Sequence, residues 1–269
     1  MHEKERHRVI CSAVQSRPVA TVLDLVEMTG TSEATIRRDI AALHVQGKLR
    51  RVRGGAEAIT PPSQTGLVGR PYVVNEAINL PLKRAIAREA VALCKDGEPI
   101  IINGGTTTYQ MVDHLSCRQM QVFTNSFPIA EHLLHHSKNA VLVPGGAIYR
   151  EQNIILSPFD NDASQNFCAR KMFMGAQAIG PLGVMEADPL LIQAELKLIG
   201  QADELIVLAD ASKFKARSCL ILCALDRVTT VITDPGLGDE DRDMLDAAGV
   251  RLIIAQARQD VKEEATSVA

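Results

Sequence analysis

The chain has 269 residues, of which 46% are apolar and 23% are charged. This balance is typical of an ordinary globular protein and excludes the collagen-like, disordered and disulfide-scaffold classes, while the length suits two domains. The net charge of −3 is uneven, because ten Lys and Arg against seven Asp and Glu give the first 60 residues +3 and leave −6 for the remainder. This asymmetry predicts a polyanion-binding N-terminal domain and a different task for the rest.

The cysteines and the N-terminus exclude further classes of protein. The six Cys form no Cys-x-x-Cys pair and no Cys/His cluster at zinc spacing, so we expect no metal and no cofactor. The first residues, MHEKERHRVI, lack the apolar core of a signal peptide, and no stretch approaches the ~20 apolar residues that span a bilayer. We therefore expect a cytoplasmic protein that does not contact the membrane.

Residues 1–57 have the pattern of a winged helix-turn-helix DNA-binding domain. Apolar residues at helical spacing predict a first helix over 3–15, and a capping-box-like pair, Thr21 and Asp24, predicts a short second helix. A third helix is predicted from Ser32 to about residue 45, with a core stripe of Ile36, Ile40 and Leu43. The alternation over 48–56, with its Gly-Gly turn, predicts a two-stranded wing.

The third helix and the wing carry the candidate DNA-binding residues. On the helix these are Glu33, Ala34, Thr35, Arg37 and Arg38, and on the wing they are Lys48, Arg50, Arg51 and Arg53. In the major groove an arginine can donate two hydrogen bonds to guanine, whereas wing cations would meet phosphates. Glu33 either accepts from cytosine or only favours the first helical turn through the helix dipole. The alternative for the whole set is a solvated basic face.

Beyond the wing, the pattern changes twice. Residues 58–81 contain four Pro and two Gly without a steady period, which predicts a linker. Residues 82–269 alternate helices with strands, which predicts an α/β fold with a mainly parallel sheet. The predicted strands are 99–102, 121–124, 140–144, 204–209 and 228–233, and the predicted helices are 82–95, 107–115, 128–135, 188–201 and 239–247.

Glycine and polar residues follow three of these strands, at the sheet edge where α/β folds bind ligands. They are Asn103, Gly104, Gly105, Thr106 and Thr107 after the first strand, Thr124, Asn125 and Ser126 after the second, and Gly145 and Gly146 after the third. Glycines and hydroxyl groups at such an edge favour anion binding, although a tight strand-to-helix turn has the same residues. Lys213 follows a later strand, and Glu195 and Lys197 either form a structural ion pair or face the ligand.

The segment SEATIRRD over 32–39, with Leu43, Gly47 and Leu49 and with RVRGGA over 51–56, resembles the N-terminal signature of the DeoR family of bacterial transcription regulators. The resemblance continues to about residue 254. It implies a C-terminal domain that is related in fold to ribose 5-phosphate isomerase and senses phosphorylated sugars. It also implies that the Gly104–Thr107 segment holds phosphate, that the other two strand ends line the pocket, and that Lys213 meets the anion.

Asn103 departs from the family pattern, which usually has Asp at this position. The change makes the pocket less negative and weakens any case for catalysis. We therefore expect a repressor of a carbohydrate catabolic operon, not an enzyme, whose affinity for double-stranded operator DNA is controlled by a phosphorylated sugar or sugar acid. Because operators are commonly symmetric, we expect a homo-oligomer, a dimer or tetramer. The alternative is an isomerase-like enzyme with an added DNA-binding domain, for which Glu195 and Asp162 are the candidate bases.

Overall fold

The structure is a computed structural model, and it describes residues 2–16, 19–58, 72–159 and 162–257. The chain forms two compact units, which divide between Ile78 and Asn79. Each unit has a hydrophobic core of its own, so each is described by itself.

The N-terminal unit confirms the three predicted helices. Its elements are α1 (Glu3–Ser16), β1 (Ala20–Thr21), α2 (Val22–Thr29), α3 (Glu33–Val45), β2 (Arg50–Val52) and β3 (Gly55–Glu57). The wing has three antiparallel strands in the order β1-β3-β2 rather than the two predicted. The extra strand, β1, is only two residues long, which is too short to show a period in the sequence.

Local capping explains where the helices of this unit begin and end. Thr21 and Asp24 form a capping box at the start of α2, as predicted, and Gly30 ends that helix in the left-handed region with φ 63°. The Ser32 side chain caps α3. The core stripe Ile36, Ile40 and Leu43 is fully buried, together with residues of α1, α2 and β3.

A partly buried ion pair joins α1 to α3. Arg6 Nε lies 2.5 Å from Asp39 Oδ2, and His7 Nε2 lies 3.1 Å from Asp39 Oδ1. Burial opposes ionisation of Asp39, but the hydrogen bonds from Arg6 and His7 outweigh it and hold its pKa below the usual value. The acid at the end of the SEATIRRD segment is therefore structural.

The predicted linker is partly helical. Residues 59–71 lie outside the described residues, but α4 (Tyr72–Glu76) and the start of α5 (Leu80–Ala92) fall inside the range predicted as linker. Pro81, which counted toward the linker, lies in the first turn of α5. Proline is well tolerated there because the first N–H groups of a helix have no intrahelical partner.

The C-terminal unit is an α/β domain built on a seven-stranded parallel sheet, as predicted. After α5 its elements are β4 (Pro99–Ile102), α6 (Thr106–Tyr109), α7 (Val112–Leu115), β5 (Gln121–Thr124), α8 (Phe127–His136), β6 (Ala140–Leu142), β7 (Ala147–Tyr149), β8 (Ile154–Leu156), β9 (Ala169–Met174), β10 (Ala178–Gly180), β11 (Gly183–Glu186), α9 (Pro189–Ile199), β12 (Ala202–Leu208), α10 (Ser212–Lys215), β13 (Leu220–Cys223), β14 (Thr230–Thr233), α11 (Asp239–Ala247) and β15 (Arg251–Ile254). Short 3₁₀ helices occur at Ala163–Asn166 and Leu225–Arg227.

The strand order creates a switch point at the carboxyl edge of the central strands, where a ligand can bind. The order is β15-β14-β12-β9-β4-β5-β6, so the chain builds outward from β4 in one direction and then returns to add β9 on the other side. The switch point between β4 and β9 is where open α/β sheets bind ligands. Apolar cores cover both faces of the sheet, which explains the continuous apolar run of β4.

Two antiparallel additions were not predicted from the sequence. One is the hairpin β7-β8, and the other is the three-stranded sheet β10-β11-β13. The predicted strand 140–144 is also shorter, since β6 ends at Leu142.

Among the helices that are described, none has both the length and the apolar character needed to cross a bilayer.

Candidate DNA-binding face and effector site

The outward face of α3 and the wing carries the predicted basic residues. Of the helix set, Glu33, Ala34, Arg37 and Arg38 are exposed and Thr35 is half-buried; all four wing cations, Lys48, Arg50, Arg51 and Arg53, are exposed. Arg37 and Glu33 form an exposed ion pair with Nη2 and Oε2 3.1 Å apart. The Glu33 carboxylate thus already has a partner on its own helix.

Some of the helix and wing cations line one concave surface, but Arg38 and Lys48 do not. A concavity of about 520 Å³ is lined by Arg37 and His44 of α3 and by Arg51 and Arg53 of the wing. Arg50 lies outside it and pairs with Glu57 across the wing. Positive charge from two elements on one concave surface is the electrostatic pattern expected of a DNA-binding face.

In the C-terminal unit, the loop after β4 has a buried lysine beside it. Lys83 of α5 is only 3% exposed, and its Nζ donates to Thr106 Oγ1 at 2.9 Å. Sequence reasoning missed Lys83, although a signal was present. It precedes Ile86, Ala87 and Ala90 at helical spacing, which places it on the buried face of α5.

Two of the loop residues have structural tasks. The Gly104 N–H donates to Asn125 Oδ1 at 2.8 Å, so that group is not available to a phosphate. A Cβ at Gly104 would lie 2.7 Å from Ile154 Cγ1, so only glycine fits under the β7-β8 hairpin. Thr108 closes the loop by donating to the Asn103 carbonyl at 2.8 Å. Thr107 is buried, whereas Gly105 and Thr106 are half-buried and are the more accessible part of the loop.

Asn103 contacts Glu195 across the switch point. Asn103 Nδ2 donates to Glu195 Oε1 at 2.6 Å, and the two residues are 0% and 4% exposed. Within the described residues, Asn103 Oδ1 and Glu195 Oε2 are buried without a hydrogen-bond partner. Such atoms are costly unless something satisfies them, and they occur here beside the predicted phosphate loop.

Three buried carboxyl groups, Glu186, Asp188 and Glu195, form an acidic cluster next to this pair. Burial raises the pKa of Glu195 well above its usual value; the charges of Glu186 and Asp188 add to this effect, and the Asn103 hydrogen bond opposes it. Burial also raises the pKa of Glu186 to about 7. Asp188 accepts a hydrogen bond from the Tyr149 hydroxyl at 2.8 Å. The raised pKa favours the neutral form of the Glu195 carboxyl.

The other predicted strand ends are used largely for structure. The Thr124 hydroxyl donates to the Ile102 carbonyl at 2.6 Å, and the Ser126 side chain caps α8. Gly145 and Gly146 are exposed, and a Cβ at Gly146 would lie 2.1 Å from the Leu156 carbonyl oxygen. Gly146 thus permits close packing of β7 on β8. Asn125 differs from these residues, because its Nδ2 is buried without a partner among the described residues.

The structural ion pair considered for Glu195 and Lys197 does not form. Lys197 Nζ donates to the Phe159 carbonyl at 2.7 Å and lies 3.8 Å from Asp162 Oδ2. Two positions two residues apart on a helix point to nearly opposite sides, so Glu195 and Lys197 cannot meet. Lys213 on α10 is half-buried, and its charge lowers the pKa of Glu186 against the effect of burial.

A cavity of about 310 Å³ lies on the Lys197 side of α9. Its lining residues are Asn125, Pro144, Ala147, Ile155, Leu156, Ser157, Pro158, Asp162, Ser164, Leu190, Gln193, Ala194, Lys197 and Leu198. The loop residues Gly104–Thr107 and Lys213 are not among them. The predicted site therefore has two parts, the loop with Lys83, Asn103 and Glu195, and this cavity, which are joined through Asn125.

No group of three or more His, Cys, Asp or Glu suited to a metal ion occurs in the described part of the chain.

A winged helix-turn-helix unit and a parallel α/β unit with buried, unpartnered polar groups at its switch point define a DNA-binding regulator with a sensor domain. Residues 6–62 match the DeoR-like helix-turn-helix domain, and residues 78–235 match the DeoR C terminal sensor domain. The chain belongs to the DeoR family of transcription regulators.

Curated relatives match almost the whole chain. The HTH-type transcriptional regulators UlaR of Shigella dysenteriae serotype 1 (strain Sd197) and of Escherichia coli (strain K12 / DH10B) are each 32% identical over 255 residues, which is 94% of this chain and 99% of theirs. Within the family, segments such as 47–60 in the first unit and 194–197 in the second resemble the L-ascorbate utilisation repressor, and these matches confirm that resemblance. The relatives are named regulators, not enzymes.

Solved structures resemble the C-terminal unit more distantly. Ribose 5-phosphate isomerase A from Methanocaldococcus jannaschii is 21% identical with a TM-score of 0.39, covering 51% of this chain and 55% of that one. The eIF2B delta protein from Chaetomium thermophilum is 20% identical with a TM-score of 0.42, covering 60% and 59%. The strand order given above, rather than either likeness, defines the fold of this unit.

Proposed function

We propose that the protein represses a carbohydrate catabolic operon in the cytoplasm by binding double-stranded operator DNA, and that a phosphorylated sugar or sugar acid controls this binding. The observation that carries the effector assignment is the set of buried polar groups at the β4-β9 switch point. After the carboxyl end of β4, Thr106 bonds to Lys83 and Asn103 bonds to Glu195, and Asn103 Oδ1 and Glu195 Oε2 are unpartnered among the described residues.

The DNA contacts are assigned by exposure and chemistry. Ala34, Thr35 and Arg38 on α3 approach base edges in the major groove, where small side chains permit close contact and arginine binds guanine. The wing cations Lys48, Arg51 and Arg53 meet phosphates, which makes the affinity salt-dependent. Arg50 contributes less, because Glu57 neutralises it.

The effector's phosphate binds at Gly105 and Thr106, with Lys83 and Lys213 as the cations. Local groups must provide this attraction, because residues 61–269 carry a net charge of −6. The raised pKa of Glu195 helps, since it favours the uncharged carboxyl and so weakens repulsion of an anion.

Hydroxyl groups of the sugar satisfy the unpartnered atoms. Asn103 Oδ1 can accept from a hydroxyl, and Glu195 Oε2 can also accept or, when protonated, donate. A site built to hydrogen-bond hydroxyl groups discriminates strongly against ligands that lack them, because its own buried groups would stay unpaired. Asn103 in place of aspartate therefore supports binding rather than catalysis.

Control of DNA binding requires that the effector bind one arrangement of the protein better than another. A homodimer or tetramer with symmetric DNA-binding units would match a symmetric operator, and the effector would alter how well both units engage. The affinities of effector and DNA are then reciprocally coupled.

Two titrations test this function. Fluorescence anisotropy with the DNA upstream of the gene should give salt-dependent, sequence-preferring binding. Isothermal titration calorimetry with a panel of sugar phosphates should find a ligand that Thr106→Ala binds less tightly. DNA binding without sequence preference would contradict the proposed operator binding. Failure of every sugar phosphate in the panel to bind would contradict the proposed effector.

A further inference from the structure

We propose that the end of the effector remote from its phosphate enters the cavity of about 310 Å³ that Asn125 helps to line. This end is a methyl group next to a carbonyl or hydroxyl oxygen, as in a 1-deoxyketose phosphate. This inference rests on the proposed phosphate site and narrows the class of sugar that the site accepts. Three features of the cavity carry it.

The first feature is that one residue, Asn125, contacts both the loop and the cavity wall. Asn125 Oδ1 accepts from the Gly104 N–H at 2.8 Å, and the Asn125 carbonyl accepts from the Ile155 N–H at 2.7 Å. One residue thus contacts the phosphate loop, bonds to the cavity wall and lines the cavity itself. A ligand held at the loop extends past Asn125 into this space.

The second feature is an unused donor on Asn125, a residue that lines the cavity. Asn125 is 2% exposed, and its Nδ2 has no hydrogen-bond partner within the described ranges. A buried amide donor without an acceptor is unfavourable. A ligand oxygen that accepts from Asn125 Nδ2 would therefore make the binding free energy more favourable. The oxygen belongs near the end of the ligand, because the cavity lies beyond Asn125.

The third feature is the wall beyond Asn125. Eight of the fourteen lining residues are Pro, Ala, Ile or Leu. The charged groups of the wall are already engaged, since Lys197 Nζ donates to the Phe159 carbonyl at 2.7 Å and Asp162 Oδ1 accepts from the Ser164 N–H at 2.8 Å. Lys197 and Asp162 also balance each other's charge, which favours an uncharged ligand end.

A methyl end fits such a wall better than a hydroxymethyl end. A hydroxyl placed there would leave water without gaining an equivalent partner, whereas a methyl group gains from burial. One hydroxyl against an apolar wall changes affinity by about tenfold or more.

The test is calorimetry on the full chain with a matched pair of ligands. 1-Deoxy-D-xylulose 5-phosphate and D-xylulose 5-phosphate differ only in the hydroxyl at the end remote from the phosphate, and inorganic phosphate reports the loop alone. We expect the deoxy compound to bind about tenfold more tightly than its partner. Thr106→Ala should weaken both ketose phosphates by the same factor.

Leu190→Asn and Leu196→Asn form a matched pair of variants. Both leucines are on α9 and 48% exposed, but only Leu190 lines the cavity. The preference for the deoxy compound should fall in Leu190→Asn and persist in Leu196→Asn. Equal or reversed affinities for the two ketoses, or ketose binding no tighter than that of inorganic phosphate, would overturn the inference. Absence of binding by all three, phosphate included, would instead contradict the proposed phosphate site.

Discussion

Replacement of Glu186 by glutamine should stabilise the protein, and the gain should depend on pH. Glu186 is 7% exposed at the end of β11, and burial raises its pKa from 4.5 to about 7. Below pH 4.5 the group is protonated in both the folded and the unfolded state. As pH rises from about 4.5 to about 7, the unfolded state loses this proton while the folded state keeps it, so folding stability falls.

The shift converts to about 3 kcal/mol, since each pKa unit corresponds to about 1.4 kcal/mol. Glutamine cannot ionise, yet its side-chain oxygen can still accept from the Ala187 N–H as Oε1 does, at 2.7 Å. We expect Glu186→Gln to raise the free energy of unfolding by about 1 kcal/mol at pH 5 and about 3 kcal/mol at pH 8.

Urea unfolding followed by circular dichroism measures this difference, with Glu131→Gln on the exposed surface of α8 as the control. The control should match the unsubstituted protein at both pH values. A gain for Glu186→Gln that is equal at pH 5 and pH 8 would refute the reasoning, because a packing effect alone does not depend on protonation.

Three further outcomes are expected. Arg38→Ala should lower operator affinity about 10- to 100-fold in fluorescence anisotropy without changing effector affinity; equal loss of both would indicate misfolding instead. Lys83→Met and Lys213→Ala should each weaken the effector's response by at least tenfold while DNA binding stays intact, and an unchanged response would remove that lysine from the phosphate site. Ile36→Ala should cost about 2–5 kcal/mol in urea unfolding, since Ile36 is fully buried; a loss below 1 kcal/mol would contradict its core role.

Local sequence signals predicted much of the fold. The capping pair Thr21 and Asp24, the Ser32 cap and the stripe at Ile36, Ile40 and Leu43 each depend on neighbours within a few residues, and all three are confirmed. The parallel sheet followed from alternating strands and helices. The predicted linker extended too far toward the C-terminus, because a proline such as Pro81 is as typical of the first turn of a helix as of a loop.

Contacts between distant residues could not be predicted from these signals. Lys83 meets Thr106 across 23 positions, and Asn103 meets Glu195 across 92. The glycine and hydroxyl residues lie at the carboxyl edge of the sheet, where the sequence placed them, but several of them, such as Gly104 and Thr124, bind other parts of the protein. Only the three-dimensional packing shows which polar groups are already engaged and which remain unpartnered.

The central claim is that a phosphorylated ligand at the β4-β9 switch point changes operator affinity. The most direct measurement is the anisotropy of labelled upstream DNA titrated with the protein, with and without 1-deoxy-D-xylulose 5-phosphate and with 1-deoxy-D-xylulose as the control. We expect the phosphorylated compound to change the Kd at least tenfold, the unphosphorylated sugar to leave it unchanged, and Thr106→Ala to abolish the difference. Salt-dependent DNA binding that is identical in all three conditions, despite calorimetric binding of the phosphate compound, would contradict it.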